Sequence, residues 1–139
     1  MKNKTLNILI SEHDSDDQFI FRKAFEELDP TIVVSFVFNY AQLKQFCLSC
    51  KVLPQLILAD VMSPFFELTS VEELVASDKV KDIPVYLFVE AHTGIKEEDA
   101  IKAGAAKIFH KPANIELLKG ILQQVLSEVT IFEAIKKTI

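Results

Sequence analysis

Along this chain, apolar runs of strand length alternate with segments whose apolar residues return every three or four positions, and the alternation occurs five times. Leu6 to Ser11 opens the series as a strand. Ser15 to Leu28 follows with helical period, Phe19, Ile20, Lys23 and Glu27 separating an apolar from a polar side. Asp29-Pro30 ends this helix, because proline disfavours helical geometry in the residue before it. Thr31 to Phe38 (TIVVSFVF) is rich in β-branched and aromatic residues and predicts a second strand, with a short helix over Tyr40 to Cys50. Pro54 restarts the pattern, and Leu56 to Ala59 forms a third strand running into Asp60. After an irregular loop containing Pro64-Phe65-Phe66, a helix begins over Ser70 to Ala76. Pro84 opens a fourth strand, Val85 to Val89, followed by a helix from about Lys96 to Ala103 that Gly104 stops. Lys107 to Phe109 is a short fifth strand, and from Ile115 the pattern is helical to the end.

Strands alternating with helices imply right-handed βαβ units, a parallel sheet and helices on both faces, so the fold class is doubly wound α/β. Ligands of such sheets sit beyond the carboxyl ends of the strands. The residues there are Glu12, His13 and Asp14, then Asp60, then Val89 and Glu90, then His110-Lys111-Pro112.

Composition narrows the function classes. The 139 residues fit one domain with one core, and half of them are apolar, enough for the chain to fold alone. A net charge of -5 argues against nucleic acid as a direct partner, since a phosphate-backbone binder needs a basic face. Three Gly, none in a GxGxxG or GxxxxGK[ST] arrangement, exclude the two common Gly-rich nucleotide loops. Leu6 to Ile10, interrupted by Asn7, falls short of the roughly 7–15 apolar residues of a signal peptide, and nothing approaches the roughly 20 of a membrane span. A cytoplasmic location without membrane attachment is expected. Cys47 and Cys50 form a C-x-x-C, but late in a helical run, away from the helix N-terminus where the dipole favours a thiolate, and a zinc site would need two further ligands.

Two carboxylates (Glu12, Asp60) and an amine (Lys111) at three strand ends suit phosphoryl transfer onto a side chain: an Asp as nucleophile, oxygen ligands for a hard cation, an ammonium for the transferring charge. The runs Ile8 to Asp17 (ILISEHDSDD), Pro54 to Pro64 (PQLILADVMSP), Pro84-Val85, and Gly104-Ala105-Ala106 through Lys111-Pro112 resemble the receiver domain of bacterial two-component response regulators, over about residues 4 to 128. The resemblance implies a flavodoxin-like, five-stranded (βα)5 sheet in the order 2-1-3-4-5. It implies Asp60 as phosphoacceptor, Lys111 as the phosphoryl-binding lysine, and Mg²⁺ held by Glu12, Asp60 and the backbone carbonyl of Met62. It also implies a cis peptide before Pro112, and as partners a histidine kinase or phosphotransfer protein and a downstream protein target.

The departures bear on mechanism. His13 stands where the family has its second acid, and a neutral imidazole is a poor Mg²⁺ ligand. Asp14 is adjacent but points elsewhere. Val89 replaces the hydroxyl residue that bonds the phosphoryl group on activation, Glu90 follows where a small residue is usual, and Ile108 replaces the aromatic that changes rotamer in the switch. The metal and switch positions are therefore degenerate while the nucleophile and lysine remain. His13, His92 and His110 all lie at or just beyond strand ends and raise a Zn²⁺ or Mn²⁺ site with Glu12 and Asp60, against the simpler reading of three separately solvated imidazoles.

Leu118, Leu122, Val125, Val129 and Phe132 follow a heptad-like spacing, with Ile121, Ile131, Ile135 and Ile139 beside them. Residues 1–128 are thus read as the receiver domain and 129–139 as an extension of its last helix, which either pairs with a second copy or docks on a partner, or folds back on its own domain or frays. No output domain follows, which predicts a single-domain regulator acting by protein contacts. An enzyme is disfavoured: flavin phosphate would meet Glu12, Asp14, Asp16 and Asp17, and a haloacid-dehalogenase-type phosphatase wants an Asp where Met62 stands. Two readings remain: a phosphorelay receiver using Asp60, and a phosphorylation-independent pseudo-receiver serving as adaptor or dimerisation module.

Overall fold

The computed structural model describes residues 5–138, so Met1 to Lys4 and Ile139 lie outside the described residues. The order is β1 (Asn7–Ser11), α1 (Ser15–Leu28), β2 (Val33–Val37), α2 (Tyr40–Ser49), β3 (Leu56–Val61), α3 (Leu68–Ala76), β4 (Val85–Val89), a 3-10 turn (Ala91–Thr93), α4 (Glu97–Ala103), β5 (Lys107–His110) and α5 (Ile115–Thr138). The strands pair in parallel in the order β2-β1-β3-β4-β5. The chain therefore reverses its direction of travel across the sheet between β1 and β3, the two strands that carry Glu12 and Asp60 at their carboxyl ends.

Alternation of side chains along the strands sorts the interior into two layers. Leu9, Ile57, Ala59, Val61, Leu87 and Val89 face the side of α2, α3 and α4, whereas Ile8, Ile10, Leu58, Tyr86 and Phe88 face α1 and α5. All six residues of β3 are buried, as expected for a central strand covered on both sides, which is why it reads as a continuous apolar run.

Several bounds move by a residue or two, each for a local reason. Asp29 Oδ1 accepts from the Thr31 amide (2.9 Å) and hydroxyl (2.6 Å), which holds Thr31 in a turn and delays β2 to Val33. A capping box between Glu67 and Ser70 starts α3 at Leu68. The 3-10 turn after β4 carries no apolar period and is not legible in the sequence. The apolar side of α1 is a correction: Phe21, Ala24 and Phe25 are buried, while Phe19 is 64% exposed and Ile20 faces outward beside it. Consecutive apolar residues fit more than one helical stripe, and contact with α5 selects the one through Phe21.

The heptad-like seam on the last helix divides near Val129. Leu118, Leu122, Val125 and Val129 are all buried within this chain's own core against the α1 side of the sheet, and Ile131, Phe132 and Ile135 beyond them are exposed. Among the described residues, no helix is long and apolar enough to cross a membrane.

Candidate functional site

Each functional side chain is delivered by a strand end. The amide of Glu12 donates to Val37 O (3.0 Å), continuing the β1–β2 ladder one step, and Gln18 Nε2 donates to Glu12 O (2.7 Å). The amide of Lys111 donates to Val89 O (2.8 Å), which likewise extends β5 along β4. Asp60 lies inside β3, opposite Phe88.

These three residues converge as the sequence predicts. Lys111 Nζ lies 2.9 Å from Glu12 Oε1 and 3.0 Å from Asp60 Oδ2. It also lies 2.6 Å from Asp17 Oδ2 in the first turn of α1, a contact sequence reasoning missed. Asp17 counted there only as negative charge near the loop. Its place one turn into a helix that starts beside Glu12 was the available signal.

Burial raises the Glu12 carboxyl to about 7, against the opposing hydrogen bond from Lys111 and reinforced by the neighbouring Asp60 charge. Burial also works against the Lys111 ammonium, but hydrogen bonds to Asp17 and Glu12 and the charges of Glu12 and Asp60 outweigh it and hold the amine protonated above its ordinary range. Asp14 is occupied elsewhere: its Oδ1 caps α1 by accepting from the amides of Asp16 and Asp17, so it does not replace the missing second acid.

His13 enters the pocket. Its Nδ1 sits 3.5 Å from Glu12 Oε2 and 3.5 Å from Asp60 Oδ2, too far for a hydrogen bond, and its ring stacks on Phe65 at 4.4 Å. Two buried polar atoms here lack a hydrogen-bond partner, His13 Nδ1 and Asp60 Oδ1. Glu12, His13 and Asp60 are the one group of potential metal-ligating side chains among the described residues, and His92 and His110 do not join it.

Mg²⁺ fits this donor set poorly. It prefers oxygen ligands, and His13 presents nitrogen where the family pattern has an acid. The third expected ligand is also engaged: Met62 O accepts from the amides of Phe65 (2.8 Å) and Phe66 (3.0 Å). The cis peptide is likewise a correction, since it lies at Ser63–Pro64 rather than before Pro112.

The positions of the usual switch lie on the other face of the sheet from Glu12 and Lys111. Val89 is fully buried in the layer under α2 to α4, opposite Val61 in the ladder, and Ile108 packs against the same layer. In the C-x-x-C, burial first, then the neighbouring Cys50, pushes the Cys47 thiol up to about 11, which disfavours a thiolate there.

No family model and no curated protein matches the chain. Solved structures do. The signal receiver domain of a DNA-binding response regulator from Colwellia psychrerythraea 34H is 21% identical, with 88% of this chain and 98% of that one covered and a TM-score of 0.72. A response regulator in red light signalling of R. palustris is 18% identical, with 86% and 90% covered and a TM-score of 0.77. The receiver domain of a sensor histidine kinase from Pseudomonas aeruginosa PAO1, with a magnesium ion coordinated in its active site cleft, is 20% identical over 87% of this chain and 97% of that one, with a TM-score of 0.69. With the strand order and the convergence of three strand-end side chains, these likenesses establish that the chain has the fold of response-regulator receiver domains.

Proposed function

We propose that the chain is a phosphorelay receiver that accepts a phosphoryl group on Asp60 and passes its signal by protein contacts. The observation that carries this reading is the Asp60 carboxylate: Oδ2 is held by Lys111 at 3.0 Å, while Oδ1 has no partner. Attack of a carboxylate oxygen on the phosphorus of a donor forms the acyl phosphate, and the donor's bond to phosphorus breaks with its electron pair leaving on the donor. Lys111 then balances the added negative charge.

A protein donor, histidine kinase or phosphotransfer protein, suits the surroundings. A cleft of about 100 Å³ opens beside Lys111, lined by Asp17, Ile20, Phe21 and Pro112, and Phe19 on the adjoining turn of α1 is largely exposed. Downstream contacts suit the exposed end of α5 at Ile131 and Phe132, where a target protein or a second copy would bury apolar surface.

Val89 favours a second reading, that of a constitutive adaptor or dimerisation module, because no hydroxyl is there to read the phosphoryl group. Intact-mass spectrometry after incubation with a small phosphoryl donor and a divalent cation separates the two. The expected result is an adduct of one phosphoryl group on the natural chain and none on Asp60→Asn. No adduct under conditions that modify an ordinary receiver supports the adaptor.

A further inference from the structure

We infer that Glu12, His13 and Asp60 form a binding site for a borderline divalent transition ion, of the Zn²⁺ and Co²⁺ class, in preference to Mg²⁺. The site shares its carboxylate with the proposed phosphoacceptor but does not require phosphoryl transfer.

The first argument is the donor set: one imidazole nitrogen and two carboxylates, with positions left open, is a composition borderline ions accept and Mg²⁺ does not seek. The second is vacancy at the donor atoms. His13 Nδ1 is buried without a hydrogen-bond partner, and so is Oδ1 of Asp60, whose side chain is only 1% exposed. Buried polar atoms are rarely left unsatisfied, so two of them within one cluster of three potential ligands mark a place for something that accepts their lone pairs.

The third is spacing. Ligands of a tetrahedral ion with bonds of about 2.0–2.1 Å stand about 3.4 Å apart, whereas neighbouring ligands of octahedral Mg²⁺ stand about 3.0 Å apart. Nδ1 of His13 is 3.5 Å from an oxygen of each carboxylate. Stacking on Phe65 holds the ring in that orientation, the service that supporting partners give a metal-bound imidazole. Lys111 takes Oε1 of Glu12 and Oδ2 of Asp60, which leaves an ion Oε2 of Glu12, held only by the Asp14 amide at 3.1 Å, and the unpartnered Oδ1 of Asp60.

The test uses the full chain stripped of metal, with no phosphoryl donor present. Zn²⁺ affinity is read by competition with a chromophoric chelator, Mg²⁺ affinity by calorimetry, and Co²⁺ coordination by visible absorption. Zn²⁺ should bind at least about 100-fold more tightly than Mg²⁺. His13→Ala should lose more than the roughly 10–100-fold that removing a mere supporting partner costs. His13→Asp should narrow the gap between the two ions, and the paired change of His92 and His110 to Ala should leave Zn²⁺ binding unaltered. Bound Co²⁺ should give the intense bands of a four-coordinate site containing nitrogen, a readout on the natural chain that stands even if a variant fails to fold. Undiminished Zn²⁺ binding by a folded His13→Ala chain, Mg²⁺ binding as tight as Zn²⁺, or a weak six-coordinate Co²⁺ spectrum would each overturn the inference.

Discussion

Glu12 shows how one buried residue sets a property of the whole site. Its carboxyl is raised from the ordinary 4.5 to about 7 by burial, so the folded state holds a proton that the unfolded chain has already released between those values. The stability this group contributes is complete below about 4.5 and is lost as pH rises through about 7. Denaturant unfolding at a series of pH values should therefore show the natural chain losing up to about 3 kcal/mol across that window relative to Glu12→Gln. A parallel pH dependence in the two chains would show that Glu12 titrates alike in the folded and unfolded chain. The residue types of the site were legible because Glu12, Asp60 and Lys111 each end an apolar run. The Phe65 stack on His13 and the engagement of the Met62 carbonyl were not, because both depend on how the Met62–Phe66 loop turns back on itself, and a Pro in that loop is compatible with either peptide isomer.

Elements behaved as their patterns predicted wherever a single force dominated. Val85–Val89 was bounded correctly by Pro84 and by the polar residues that follow, and α4 ends where Gly104 stops it. Gly104 is required there for two reasons: its φ is +116°, and an added Cβ would lie 2.7 Å from Val75 Cγ2 of α3. Gly104→Ala should cost about 2–4 kcal/mol, combining backbone strain with overpacking, as read from the shift in thermal or urea midpoint. Removing the overpacking with Val75→Ala in the same chain should recover only that part. A cost below about 1 kcal/mol would mean the α3–α4 contact yields. Patterns misled where two stripes were available, as on α1, since a helix with apolar residues at adjacent positions presents more than one apolar side and only its tertiary neighbour decides.

At the scale of the molecule, the alternation of strands and helices sufficed for the architecture, because parallel pairing with right-handed crossovers leaves few arrangements. It did not reveal that the heptad-like seam of α5 is consumed internally, since a stripe at that spacing looks the same whether it meets its own sheet or another chain. Among the residues whose burial is described, Val129 is the last fully buried one of α5. A chain ending at Thr130 should melt within a few degrees of the natural one, whereas one ending at Gln124 loses Val125, Glu128 and Val129 and should unfold or fall by at least about 3 kcal/mol. Light scattering on the longer of these chains also reads whether residues 131–139 hold a second copy. The docking of α5 has one more outcome. Tyr86 Oη on β4 donates to Glu128 Oε2 of α5 at 2.6 Å, and burial together with that carboxylate suppresses ionisation of the phenol, while burial and Glu73 push Tyr40 up to about 12. The chain has two tyrosines and no tryptophan. Its tyrosine absorbance therefore comes from two rings, one of them fastened to α5, and alkaline absorbance can follow the seating of that helix without an attached dye.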